Sequence, residues 1–149
     1  LKVRSDVGSR QGAKAPRSPG KSEEDEIVSI VVNEAVRIHR DLGPGLLESV
    51  YEAILGKRLV DQGLQVRRQV AIPLIYEGLE FKEAFRADIV VNQKVILELK
   101  SVDKLDRAHK KQLLTYLKLA DLRVGLLLNF SEELMKHGIS RVVNQLDES

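Results

Sequence analysis

At 149 residues, 43% of them hydrophobic, the chain is large enough to bury one core, and no second domain is expected beside it. No apolar run approaches the ~20 residues of a bilayer-spanning helix, and the absence of cysteine excludes disulfides, thiolate zinc sites and iron–sulfur clusters, so a soluble, cytoplasmic protein with no membrane partner is expected. The net charge of +2 is unevenly spread: residues 1 to 22 hold six basic side chains against one acid, which leaves the rest at −3. A nucleic-acid surface must therefore come from local clusters, such as Arg67 with Arg68, or Arg107, Lys110 and Lys111.

Residues 1 to 22 are rich in Gly, Ser, Pro, Lys and Arg and lack apolar periodicity, which predicts a disordered basic tail ahead of a domain over 23–149. Ser22 followed by Asp25 has the pattern of a helix start, and Ile27, Ile30, Val31, Ala35 and Ile38 recur at helical spacing to about Arg40. Asp41-Leu42-Gly43-Pro44-Gly45 breaks that helix. A second is expected from about Leu46 to Gln62, with Leu47, Val50, Ile54, Leu55 and Leu59 as its stripe. Glu48, Tyr51 and Glu52 share one face near its N-terminus, where an acid also favours the helix dipole.

Leu64 to Tyr76 reads as a strand in which Pro73 marks an edge or a bulge, and Glu77-Gly78 as a turn into a second strand ending at Val91. A third helix is expected over about Lys104 to Leu119, with Leu105, Ala108, Gln112, Leu113, Tyr116 and Leu117 inward. Arg123 to Phe130, nearly all apolar, reads as a strand covered on both faces and parallel to the 94–100 strand. Ser131 should cap a short helix to about Lys136, and Ile139 to Leu146 a last strand or helix. His39, His109 and His137 are given no role.

The informative stretch is 84–100, two short strands joined by a tight turn, in which Asp88, Glu98 and Lys100 interrupt apolar sequence. Charges there are costly unless they pair or bind a metal. A two-residue turn over Asn92-Gln93 would put Asp88 opposite Leu97 and send Glu98 to the other face. A three-residue turn over Asn92, Gln93 and Lys94, or a bulge, puts Asp88 opposite Glu98 with the apolar rows Phe85, Ala87, Ile89, Val91 and Val95, Leu97, Leu99 together on one side, and this is the predicted arrangement. Two carboxylates so placed repel unless a cation lies between them, and hard oxygen ligands suit Mg²⁺ or Mn²⁺. The plainer alternative is a structural ion pair between Asp88 and Lys100.

Gly45, Glu48 and Tyr51, within Leu42-Gly43-Pro44-Gly45-Leu46-Leu47-Glu48-Ser49-Val50-Tyr51, stand at the spacing that names the GxxExxY family. Asp88 followed by Glu98-Leu99-Lys100 resembles the core of the PD-(D/E)XK nuclease superfamily, to which that family belongs, and Gln112-Leu113-Leu114-Thr115-Tyr116 is similar to the QxxxY element of its RecB-like members. Arg86-Ala87 stands where the superfamily name has proline. The resemblance spans about residues 26 to 145. It implies an α/β, restriction-endonuclease-like core: a mixed central sheet of three antiparallel strands plus a parallel strand after a crossover helix, flanked by helices. It implies metal-dependent hydrolysis of phosphodiester bonds in nucleic acid, with DNA the expected substrate. Asp88 and Glu98 would hold Mg²⁺ (or Mn²⁺) with the Leu99 carbonyl, Glu48 would complete the shell directly or through water, and Lys100 would serve the attacking water. Gln112 and Tyr116 would brace Lys100 or a phosphate, with Tyr51 in support; ordinary packing is the competing account of all three. Two rivals stand beside the nuclease: a catalytically silent nucleic-acid-binding or protein-interaction module on the same fold, and a small-molecule phosphodiesterase. A homodimer is compatible with the sequence.

Overall fold

A computed structural model describes residues 21–145; nearly all of the expected basic tail, and Leu146, lie outside the described residues. Helix α1 (Glu23–Leu42) starts where Ser22 accepts the Asp25 N–H, and four acids fill its first turn, at the positive end of its dipole. Helix α2 (Glu48–Asp61) follows the Gly-Pro-Gly break. Then come β1 (Val66–Tyr76), β2 (Leu79–Val91) and β3 (Val95–Lys100), helix α3 (Arg107–Ala120), β4 (Val124–Asn129), a single 3₁₀ turn (Met135–Gly138) and β5 (Ile139–Val143).

The sheet runs in the order β1-β2-β3-β4-β5. It is antiparallel except for the β3–β4 pair, which is parallel and joined through α3. This is the mixed α/β sheet expected. β4 is buried throughout, as its unbroken apolar run requires. α1 and α2 pack on one face against Ile89, Leu97, Leu99 and Leu126; α3 covers the other through Leu113 and Leu117 against Ile72, Phe85, Ile96 and Leu127. Contact on that side is close, since a Cβ at Gly125 would lie 3.0 Å from Leu113.

Several expectations need correction. α3 starts at Arg107, later than expected, because Asp106 caps it and accepts the N–H groups of Ala108 and His109, while the His109 ring accepts the Asp106 N–H. Ala108 and Gln112, expected inward, are exposed. Residues 131–134 form turns, and the helical element after them is the 3₁₀ turn alone. The apolar row of β2 is divided: Ile89 and Val91 join the α1/α2 core, whereas Phe85 and Ala87 join the α3 core. The division falls at Asp88, opposite Gln69, whose φ of +52° puts a local twist into β1. Pro73 sits on an edge strand and at a bulge, as expected, with the register shifting between Ile72 and Leu74.

Candidate active site

The turn decides the site. Lys94 N–H donates to the Val91 carbonyl (2.9 Å) around Asn92 and Gln93, both with positive φ, yet Val91 pairs with Val95, so Lys94 is the extra residue. The register Ile89↔Leu97, continued by one step, sets Asp88 opposite Glu98. Backbone pairing between β2 and β3 stops at that step. Beyond it the side chains take over: Glu98 Oε2 accepts the Asp88 N–H (3.0 Å) and Asp88 Oδ2 accepts the Leu99 N–H (2.9 Å). Each carboxylate thus caps an amide that the diverging strands have left without a carbonyl.

That arrangement uses one oxygen per acid. Of the other two, Asp88 Oδ1 has only a long 3.5 Å contact from the Gln69 amide, and Glu98 Oε1 has no hydrogen-bond partner among the described residues. Glu98 is 7% exposed. Burial, then the neighbouring Asp88 charge, push its carboxyl up to about 8. Asp88 is also raised, by burial first and with the Glu52 charge adding to it. Two acids disfavoured as anions, each with an oxygen to spare, form a hard donor set suited to a divalent cation.

Lys100, on the same strand face as Glu98, acts favourably on both acids through its charge but forms no ion pair within 4 Å among the described residues. The static Asp88–Lys100 pair is therefore not made. On the opposite flank Tyr116 stacks on Phe85 with ring centroids 3.6 Å apart. Its phenol is raised by burial, then by the Glu98 and Asp88 charges, and so remains a protonated donor facing the acids. Gln112 is exposed one turn earlier on α3.

Glu48 stands elsewhere than in the immediate donor set. Its Oε2 accepts the Ser101 N–H (2.7 Å), which fixes the chain just past Lys100. Among the described residues no three acidic or imidazole groups gather closely enough to hold an ion together. Tyr51 is fully buried: its hydroxyl donates to the Gly43 carbonyl (2.5 Å) and accepts the Leu46 N–H (3.2 Å), and its ring stacks on Phe130. It clamps the Gly-Pro-Gly loop that delivers Glu48.

Sequence reasoning gave no role to Glu52, Gln69 and Asn129. Glu52, buried on α2, accepts from Arg68 Nε and Gln69 Nε2, both at 2.9 Å, and adds negative potential to the two acids. A usable signal was Gly56 one turn on, where a Cβ would meet Arg68 at 3.2 Å: the bare helix surface admits the arginine. Asn129, fully buried, ties down Val102 through both its amide groups, securing the exit from β3.

The sequence profile of the PD-(D/E)XK nuclease superfamily matches residues 25–142. No curated protein matches the chain. A solved structure described as "Crystal structure of SSO0001" is 23% identical, with a TM-score of 0.44 over 82% of this chain and 68% of that one.

Proposed function

The chain belongs to the PD-(D/E)XK nuclease superfamily, and from that premise we propose that it is a metal-dependent nuclease that hydrolyses phosphodiester bonds in DNA. The observation that carries the reading is the reciprocal carboxylate pair, with one oxygen of each acid left over and both acids held above the usual carboxylate range. Gly45, Glu48 and Tyr51 support a finer placement in the GxxExxY family.

Asp88 and Glu98 would hold a Mg²⁺ or Mn²⁺ ion together with the Leu99 carbonyl, and Glu48 would join through water. A bound divalent ion supplies Lewis acidity to a phosphate oxygen and acidifies water. Lys100 contributes a positive charge beside the acids, which orients the attacking water and stabilises the charge that grows on the phosphate. Tyr116 keeps its phenolic proton and donates a hydrogen bond to a phosphate oxygen rather than acting as a base. Gln112 and the exposed Arg107, Lys110 and Lys111 on α3 offer further phosphate partners. Glu52 and Gln69 position Asp88, and Tyr51 positions Glu48. A cytoplasmic nuclease of this kind needs no membrane partner, and no described helix is long and apolar enough to cross one.

Magnesium-supported cleavage of single-stranded, duplex and branched DNA tests the proposal. Asp88→Ala and Lys100→Ala should each lower the rate by about 10²-fold or more; wild-type activity no higher than theirs rejects it. One observation favours a second reading, a module that binds nucleic acid or protein without cutting: among the described residues no third acid joins the pair. Metal binding in a calorimeter, lost in Glu98→Ala but unaccompanied by turnover, would establish that reading instead.

A further inference from the structure

Adjacent residues of a strand send their side chains to opposite faces of the sheet, yet Arg68 and Gln69 both reach the carboxylate of Glu52 on α2. The backbone makes this possible. Gln69 has a φ of +52° and is skipped in the register between Arg68↔Ile89 and Val70↔Ala87, so its side chain turns out of the alternation. That left-handed conformation is costly to a residue with a Cβ, and two contacts hold it. Glu52 Oε1 accepts from Gln69 Nε2 (2.9 Å), and the Gln69 carbonyl accepts from Arg86 Nη1 (3.0 Å).

The same nitrogen faces Asp88 Oδ1 at 3.5 Å. One amide nitrogen thus stands between two carboxylate oxygens, where a cation would otherwise be drawn. Its two protons answer one oxygen each, and being neutral it separates the two acids without discharging them. Glu52 is anchored as Asp88 and Glu98 are, by one oxygen: its Oε2 accepts from Arg68 Nε (2.9 Å), and the arginine is seated against the bare surface of Gly56. The other oxygen, Oε1, is answered by Gln69 alone among the described residues. Asp88 and Glu98 likewise each have one oxygen to spare, and the charge of Glu52 bears on both. Without the Gln69 amide, Glu52 Oε1 and Asp88 Oδ1 would face one another with nothing between them.

We propose that Gln69 withholds Glu52 from the cation site, so that a divalent ion is held by two carboxylates and not three, and that residue 69 thereby sets how tightly the site holds its ion. Among the described residues no third acid joins the pair, and the Gln69 amide is what keeps it out. Orientation of Asp88 by the same amide is the lesser effect, since that contact is long. The inference rests on the metal-binding part of the nuclease reading and deepens it.

The test is titration of the metal-free full chain with Mn²⁺, the free ion being read by electron paramagnetic resonance with no nucleic acid present. Gln69→Gly removes the amide and suits the positive φ, and it should bind Mn²⁺ about tenfold tighter or more than the wild type. Gln69→Asn, which also tolerates the left-handed backbone but is too short to span both acids, should shift affinity in the same direction and serves if glycine loosens the strand. Gln69→Gly combined with Glu52→Gln should bind no tighter than Glu52→Gln alone. Unchanged or weaker binding in both Gln69 variants overturns the proposal and leaves Gln69 an orienting residue only. A gain that survives Glu52→Gln also overturns it, as does Mn²⁺ binding that Asp88→Asn leaves unchanged, the ion then lying elsewhere. Failure of the nuclease reading is separate: it shows as no Asp88-dependent cleavage of DNA, whereas failure of this inference leaves that cleavage intact and the Mn²⁺ affinity indifferent to Gln69.

Discussion

Two buried acids, Glu34 and Glu98, show how differently one side chain can be accommodated. Glu34, on α1, is 3% exposed, and Arg58 Nη1 (3.1 Å), Gln62 Nε2 (2.7 Å) and Arg37 (3.7 Å) all reach its carboxylate. Burial alone would raise its pKa, but the Gln62 and Arg58 hydrogen bonds and the charges of Arg37 and Arg58 outweigh that, and it lies below the usual range. Glu98 is similarly buried, yet receives one backbone N–H and faces a second acid, so it lies far above the range. Glu34 lines a groove of about 460 Å³ between α1 and α2. A concave surface alone would direct attention there. Electrostatic satisfaction directs it to Glu98: the answered acid is structure, and the unanswered one is the acid proposed to take a cation.

The same substitution at the two positions should act in opposite directions. Glu34→Gln removes the anion that Arg58 and Arg37 need, and should destabilise the protein by about 2 kcal/mol. Glu98→Gln keeps an acceptor for the Asp88 N–H and removes a poorly solvated charge, so metal-free protein at pH 9 should gain about 1 kcal/mol or more. Urea midpoints in EDTA measure both, and equal signs would dissolve the contrast.

The pH response sharpens it. Glu98 titrates higher in the folded state than in the unfolded chain, so the folded state binds more protons between about 4.5 and about 8. Its contribution to stability is therefore fully present below about pH 4.5 and lost as pH rises to about 8. Glu34 has the reverse sign: its contribution is present above the unfolded carboxyl pKa and is lost as pH falls through its lower folded value. Stability against pH in EDTA should thus carry a Glu98-dependent decline that Glu98→Gln abolishes and that saturating Mg²⁺ flattens.

The smallest effect expected is at Tyr51. Tyr51→Phe leaves the Phe130 stack in place and removes the hydroxyl joining Gly43 to Leu46. The cost should be about 1 kcal/mol, together with a several-fold fall in cleavage rate as Glu48 loses its fixed approach. A thermal melt and a rate assay read the two separately.

What could be read from the sequence, and what could not, divides along a physical line. Asp88 opposite Glu98 follows from a period of two and the length of one turn, which are local rules. The all-apolar β4 and the Ser22 cap are equally local. Glu52 was visible beside Glu48 and Tyr51 on its helix face, but its burial depends on Arg68 and Gln69, more than a dozen residues away. The twist at Gln69 has no glycine to announce it, and so the split of the β2 apolar row was not legible. Gln112, placed inward by helical spacing, is exposed because α3 presents Leu113 and Leu117 to the sheet.

Because the two acids also terminate the β2–β3 ladder, the groups assigned to chemistry are fastened to the main chain they act from. Replacing both with their amides would leave acceptors for the same two N–H groups while ending any grip on a cation. The hairpin can therefore keep its shape without the two charges, so that on this scaffold a protein that binds and a protein that cuts need differ by no more than these two side chains.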